Sequence, residues 1–338
     1  MTGKSPLVGI AFNAFAPAAG RSDETISETS IEQTAGDVHA LLKEAGYKTV
    51  LLPLRDNLLD LAERYSSEPC DLLINLCEAF RGIPQLESHV AAFFEALGWP
   101  FTGNGPLTLA LCQQKFASKA LLQAHGLPCP SGFLVQPGAE LPDIELPAIV
   151  KPNAEDASLG IHPDSVVYER EQLLRQVDKI WTNYRQPALV EQFIDGREFN
   201  VGVLQRGAGL EALPVSEISF AGMPAGTPHI VGYEAKWFED HPLYKATVPL
   251  CPAPIDAAMQ EALQNLALRA FRAMGCRDYA RVDFRVGKGG EIFVLEVNPN
   301  PDIGLGAGYA RALKAAGLPY TKFWRIIINN VLERKGQS

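Results

Sequence analysis

The amino-acid sequence predicts a chain of mixed α/β and α+β class, with an open parallel sheet first and two α+β units after it. Three observations carry this. The first hundred residues alternate short apolar strands with amphipathic helices, the pattern of a parallel sheet with crossovers. Two later stretches mix strands and helices around loops of small residues. Near the C-terminal end, two strands joined by Val286-Gly-Lys-Gly-Gly-Glu291 are polar on one face and apolar on the other.

Composition limits the function. The chain has 338 residues, 47% hydrophobic and 20% charged, enough for two or three packed units. A net charge of -9 favours neither nucleic acid nor an anionic membrane surface. There is no run of about 18 apolar residues to span a bilayer. Leu7–Phe12 is too short for a signal peptide. The six cysteines show no paired spacing and read as reduced, mostly buried thiols of a cytoplasmic protein.

In chain order, Leu7–Phe12 reads as a strand and Asn13–Ser30 as a loop. Ile31, Ala35, Val38, Leu41, Leu42 and Ala45 recur at helical spacing up to Gly46, a C-cap. Strands over Thr49–Leu52 and Asp71–Leu76 and helices over Leu58–Arg64 and Leu86–Leu97 complete the first unit. Glu28, Glu78 and Glu87 sit at loop or helix starts, where each could meet a ligand at the sheet's C-terminal edge or serve as an N-terminal helix charge. Leu107–His125 reads as one helix carrying Lys115 and Lys119 on one face, ordinarily a solvated pair. Strands over Gly132–Val135, Ala148–Lys151 and Ser165–Tyr168 and a helix over Arg170–Tyr184 follow. Lys151 ends a strand and opens a small-residue loop, which suits a phosphate held by ammonium and backbone N–H groups, or an ordinary turn. Ala188–Phe199 reads as a hinge flanked by Glu191 and Glu198. Ala212–Phe220 reads as a strand, Ala221–Pro254 as a long functional loop, and Ile255–Ala273 as a helix. Helices over Ala307–Ala316 and Tyr320–Leu332 close the chain.

The hairpin bears the chemistry. Pairing Val286 with Glu291 sets Arg281 opposite Glu296 and projects Arg281, Asp283, Glu296 and Asn298 to one side. Val282, Phe284, Phe293, Leu295 and Val297 take the core side. Two carboxylates and an amide are oxygen ligands suited to Mg2+, which takes its remaining ligands from phosphate and water. A surface ion-pair ladder is the plainer reading. The Asn298-Pro-Asn-Pro301 run weighs against it, because the strand breaks into a loop straight after its polar face.

Seven pieces in order resemble the ATP-grasp superfamily, and within it the D-alanine–D-alanine ligases. They are Thr102-Gly-Asn-Gly105, Gln114-Lys115, Ile149-Val-Lys151-Pro152, Val190-Glu191 through Glu198-Phe199, Tyr233-Glu-Ala-Lys236, Arg281-Val-Asp283 and Leu295-Glu296-Val-Asn298. The resemblance implies an ATP-grasp fold: a Rossmann-like unit over 1–104, a small lobe over 105–189 and a large lobe with the metal site over 190–338, the two lobes clamping ATP. It implies that Lys115 and Lys151 hold the ATP phosphates, that Glu191, Phe193 and Ile194 form the adenine hinge with Phe193 and Leu295 as apolar walls, and that Glu198 binds the ribose. It implies that Lys236 reaches the terminal phosphates and that Asp283, Glu296 and Asn298 hold one or two Mg2+ ions, with Mn2+ able to substitute. Arg281 would face the charge developing at the phosphoryl and tetrahedral centres.

The implied chemistry is attack of a carboxylate on ATP to give an acyl phosphate, then attack of an amine to leave an amide. The partners are therefore a small carboxylate and a small amine (amino acid or peptide), and a homodimer is expected by analogy. The amino-acid half departs from the family pattern. Ala157 stands where those ligases have a serine, Trp237 where they have a tyrosine, and Ala307 at a second serine position. Glu28 is the nearest candidate for their glutamate. Asp302 is newly acidic, and either meets a cationic group or caps the next helix. The resulting expectation is a carboxylate–amine ligase whose substrates are not a D-alanine pair. A true D-alanine–D-alanine ligase, a small-molecule kinase and a non-catalytic nucleotide-binding scaffold are the alternatives.

Overall fold

A computed structural model describes residues 5–14, 25–142 and 144–337, apart from the side chains of 25–30 and 337. The elements in order are β1 (Leu7–Asn13), α1 (Thr25–Glu44), β2 (Lys48–Leu54), α2 (Leu58–Ser67), β3 (Leu72–Leu76), α3 (Glu87–Ala96), α4 (Pro106–Gln113) and α5 (Lys115–Ala124). Then come β4 (Gly132–Val135), β5 (Ala148–Pro152), β6 (Val166–Val167), α6 (Arg170–Tyr184), β7 (Ala188–Gln192), β8 (Gly196–Arg206), β9 (Gly209–Ala212) and β10 (Ser216–Ser219). The chain ends with α7 (Tyr233–Trp237), α8 (Pro242–Ala246), β11 (Val248–Leu250), α9 (Ala257–Ala273), β12 (Tyr279–Gly287), β13 (Ile292–Asn298), α10 (Gly308–Ala315) and α11 (Tyr320–Gln337).

Among the described residues the strands form three sheets. The first is parallel, ordered β2-β1-β3. Its strands read as unbroken apolar runs because both faces are covered. On one face Ile31, Ala35, Val38 and Leu42 of α1 pack with Phe323, Trp324, Ile327 and Ile328 of α11, so the far end of the chain closes the core of the near end. On the other face lie Leu61 of α2 and Val90, Ala91 and Phe94 of α3. The second sheet, β4-β7-β5-β6, is antiparallel and backed by Leu173, Val177 and Ile180 of α6. The third runs β11-β10-β8-β12-β13, with β9 on β8, and buries Leu263, Ala267, Ala270 and Phe271 of α9. Where β8 starts, a Cβ on Gly196 would stand 2.0 Å from the Val286 carbonyl oxygen, so this pairing needs glycine.

Several expectations are corrected. The segment read as a loop to Ser30 becomes helical at Thr25. The single helix over Leu107–His125 breaks at Gln114, with φ -82° and ψ 85°. No proline or glycine marks that break; Asn153 makes it from outside. Its carbonyl accepts Lys115 N–H at 3.0 Å. Its side chain accepts Phe116 N–H at 3.0 Å and donates to Gln114 Oε1 at 2.7 Å. Of the strand read over Ala212–Phe220 only Ser216–Ser219 forms, as β10, while Ala212 ends the preceding strand β9. The long loop contains α7, α8 and β11.

The hairpin register also differs. Arg281 pairs with Asn298 and Asp283 with Glu296, while beyond a bulge Phe284 pairs with Val294. The turn is wider than a two-residue connection: Gly287 N–H bonds Glu291 O and Gly290 N–H bonds Gly287 O. Past the bulge, Val294 takes the core position, with Val297 also buried, and Phe293 and Leu295 are only half-buried.

Candidate active site

The break at Gln114 puts Lys115 at the first residue of α5, against the end of β5 that carries Lys151. A lysine there opposes the positive end of the helix dipole and needs anions nearby. Lys115 Nζ has two, Asp156 Oδ1 and Glu296 Oε2, each at 3.1 Å. Burial alone would lower the Lys115 ammonium, but Glu296 and Asp156 raise it well above the usual range. The reading of Lys115 and Lys119 as solvated is corrected: they are 6% and 4% exposed.

One turn on, Lys119 meets Glu191 on β7 in a short contact, and Lys151 Nζ reaches the other oxygen of Glu191 at 2.7 Å. Glu191 is 1% exposed. Burial would raise its carboxyl, yet the two lysines hold it below the usual range. Burial lowers Lys119 to about 8, against the pull of Glu191. Glu191 thus fixes both lysines with its side chain while its backbone belongs to β7. Beside it, Phe193 N–H bonds Pro147 O at 3.1 Å, and Ile194 is buried. Glu198 on β8 pairs with Arg285 at 2.8 Å, and Arg285 is anchored in turn on the carbonyls of Gly196 and His229.

On the polar face of the hairpin, Arg281 forks onto Asp283 with two bonds of 2.7 Å. Asn298 Nδ2 donates to Asp283 Oδ2 at 3.0 Å, which leaves the amide oxygen for another partner. Burial would raise the Glu296 carboxyl, but Lys115, Lys151 and Arg281 hold it well below the usual range, so it is charged. Among the described residues no group of three His, Cys, Asp or Glu gathers as a metal cluster. The donor set here is two carboxylates facing each other across one strand pair, plus an amide oxygen. That set fits a hard cation that also takes ligands from phosphate.

Arg281, Glu296 and Asn298 open onto a cavity of about 800 Å³. Its other walls come from the ends of β3 and β5, from α7 and from the Pro299–Asp302 turn. Lys236 and Trp237 stand in its lining, and Trp237 Nε1–H donates to Ala157 O at 2.9 Å. Ala157 and Ser158 have φ of 55° and 62°, a left-handed pair of non-glycine residues at the edge of the site. Ser158 Oγ–H bonds Val231 O at 2.9 Å and Tyr233 N–H bonds Ile161 O at 2.8 Å, so the small loop and α7 are tied by several bonds.

Asp302 does not cap the following helix. Its Oδ1 accepts Gly304 N–H at 2.8 Å, α10 starts only at Gly308, and the carboxyl is exposed on the cavity. The side chain of Glu28 lies outside the described residues. Sequence reasoning left Lys119 and Asp156 without a role and Glu78 and Glu87 undecided. Glu78 and Glu87 were legible as acids at the edge of the first sheet, whereas Asp156 had no signal beyond its place in the loop after Lys151.

A family model described as D-ala D-ala ligase C-terminus matches residues 138–329. A protein of Sinorhizobium fredii, "Uncharacterized protein y4sG", is 35% identical over 307 residues, 88% of this chain and 86% of its own length. A D-alanine–D-alanine ligase of Pelotomaculum thermopropionicum is 31% identical over 332 residues, 94% of this chain and 96% of its own. The crystal structure of a D-alanine–D-alanine ligase from Bacillus anthracis complexed with ATP superposes with a TM-score of 0.75 at 22% identity, covering 98% of this chain and 99% of that one. No helix among the described residues is long and apolar enough to cross a membrane. Sequence, fold and the model match over more than half of the residues agree, and the chain belongs to the D-alanine–D-alanine ligase family of ATP-grasp enzymes, which form C–N bonds.

Proposed function

We propose that this chain joins a carboxylate to an amine at the expense of ATP, through an acyl phosphate, and that its substrates are not a pair of D-alanines. The observation that carries the ATP half is the Lys115 ammonium between Glu296 and Asp156, beside the Asp283–Asn298 face. The three units are taken as 1–104, 105–189 and 190–338.

In this reading Lys115, Lys151 and Lys236 neutralise the phosphate oxygens. Glu191, Phe193, Ile194 and Leu295 lie along the base and Glu198 takes the ribose. Asp283, Glu296 and Asn298 hold Mg2+, which supplies Lewis-acid charge stabilisation on the phosphates when bound. Arg281, locked by its fork on Asp283, faces the transferring phosphoryl group without having to reorganise. No side chain serves as a covalent nucleophile.

The amino-acid half supports a different substrate pair. Ala157 and Trp237 meet through a carbonyl and an indole N–H, where the family pattern has hydroxyls. Trp237→Phe removes that bond and keeps an aromatic ring, though a smaller one. The expected result is a lid that closes less completely, with ADP release in the absence of amine rising about three- to tenfold, since an acyl phosphate open to water is hydrolysed. Comparing ADP and amide yields for both proteins checks this.

Names among the relatives favour a second reading, a D-alanine–D-alanine ligase with a rearranged pocket. ADP release with Mg-ATP against pools of amino acids of both enantiomers and small amines separates the two. Release that needs two different added compounds supports the proposal, and release with D-alanine alone supports the second reading. No release from any pool counts against both.

A further inference from the structure

One side of the cavity, beside Lys236, is acidic, and one of its acids has been left without a task. Glu78 lies two residues past the end of β3, and its backbone is clamped. Asn13 Oδ1 accepts the N–H groups of Glu78 and Ala79 at 2.8 and 3.2 Å, while Asn13 Nδ2–H donates to Ala79 O at 2.6 Å. Its side chain carries accessible surface, and that surface opens on the cavity. Among the described residues its carboxyl makes no hydrogen bond or ion pair. Asp302 lines the same cavity, and both acids also line a smaller recess behind it with Ile31 and Thr34, so the two stand together at a shared mouth.

The charged groups around Glu78 come from four elements: Asp302 after β13, Lys236 on α7, Asp156 after β5 and Glu87 at the start of α3. Three of these four are acids. Asp156 already serves Lys115, and Glu87 accepts Asn300 Nδ2–H at 2.9 Å. Glu78 and Asp302 are the acids left facing open volume, next to the Lys236 and Arg281 end where an acyl phosphate would form.

We propose that Glu78 takes the proton from the attacking amine, and that Asp302 helps hold its ammonium form beforehand. The inference rests on the ligase reading above. In the step, R–NH3+ gives a proton to Glu78, and the nitrogen lone pair bonds the acyl carbon. The carbon–oxygen bond to phosphate breaks with its electron pair, and phosphate takes the second proton to leave as HPO4 2-. One amide N–H remains, and Glu78 returns its proton to solvent.

A property of the site suits this role. Enclosure by the surrounding cavity walls first, and then Asp302, push the Glu78 carboxyl up to about 8, with Lys236 pulling the other way. A proton acceptor works best when its affinity lies near the working pH.

The test uses the full-length enzyme, Mg-ATP and the mixed-enantiomer amino-acid pool, with hydroxylamine as an acceptor that is already unprotonated at neutral pH. In Glu78→Gln, hydroxamate formation should stay within about threefold of wild type while amide formation with pool amines falls about 100-fold, the scale of general-base catalysis. The rise of wild-type amide formation with pH near 8 should vanish in the variant. Asp302→Asn should raise the amine KM about tenfold with little change in kcat, since one of two opposing charges is removed. Equal amide formation by Glu78→Gln and wild type overturns the assignment. Parallel loss of hydroxamate and amide also overturns it, because Glu78 would then act before the amine step. Wild type that makes no hydroxamate from any pool acid overturns the ligase reading, and the inference with it.

Discussion

Glu296→Ala should cut acid-dependent ADP release by about 10²–10³-fold, the scale seen when one preorganised charge-stabilising group is removed from a transition state. The structure gives the reason in two steps. Glu296 faces Asp283 across the β12–β13 pair and holds Lys115 Nζ at 3.1 Å, so one carboxylate serves both the cation-binding face and the phosphate-binding lysine. Without it Lys115 keeps only Asp156, and the oxygen-donor face keeps one carboxylate and an amide. The apparent Mg2+ requirement should therefore rise together with the loss of rate. A plain ion-pair ladder predicts otherwise, since exposed pairs are worth at most about 1 kcal/mol, or a factor of about five. Initial rates over a Mg2+ series, with thermal unfolding as a check on the fold, decide between them. A loss under tenfold at every Mg2+ concentration would remove Glu296 from the metal assignment.

The polar face of this hairpin was legible even though its register was not. The expected pairing of Arg281 with Glu296 and the observed pairing with Asn298 differ by two residues. An even slip returns every side chain to its own face, so Arg281, Asp283, Glu296 and Asn298 remain together. Beyond the bulge the slip is odd, and there the reading failed: Val294 took the core position assigned to its neighbours Phe293 and Leu295. The parallel sheet was legible for a related reason, because strands covered on both faces need continuous apolar runs. What sequence could not show is contact between distant stretches. Gln114 ends α4 because Asn153 binds it from 39 residues further along the chain. Lys119 is buried because Glu191 waits 72 residues away. The acidic mouth draws on Glu78, Glu87 and Asp302, each an unremarkable acid where it stands in the chain. The Asp302 alternative resolved toward the cavity because the helix it was to cap begins six positions later.

The second large effect concerns the fold and not the chemistry. Asp278→Ala should destabilise the protein by about 3–5 kcal/mol, the cost of breaking a buried ion pair by removing one member. Asp278 is fully buried, at a left-handed φ of 61°. Its oxygens accept Arg334 at 2.6 and 2.9 Å, Gly103 N–H at 2.8 Å and Asn330 Nδ2–H at 3.3 Å. It therefore ties α11, the Gly103 turn and the start of β12 at one point. The same turn reaches the hairpin, since Asn104 Nδ2–H donates to Tyr279 O and Pro299 O. Alanine would leave Gly103 N–H without its acceptor and strain the left-handed backbone. Arg334 keeps 31% of its side-chain surface exposed, so water recovers part of its loss and the lower half of the range is expected. That corresponds to a fall in Tm of roughly 5 °C for a chain of this length. Arg334→Met in the same background should restore part of the stability, because it removes the cation that has lost its carboxylate. Thermal unfolding of the two single variants and the double variant measures the coupling. A shift below about 2 °C in Asp278→Ala, or a double variant no more stable than that single one, would mean that the Asp278 carboxylate is not what joins the three elements.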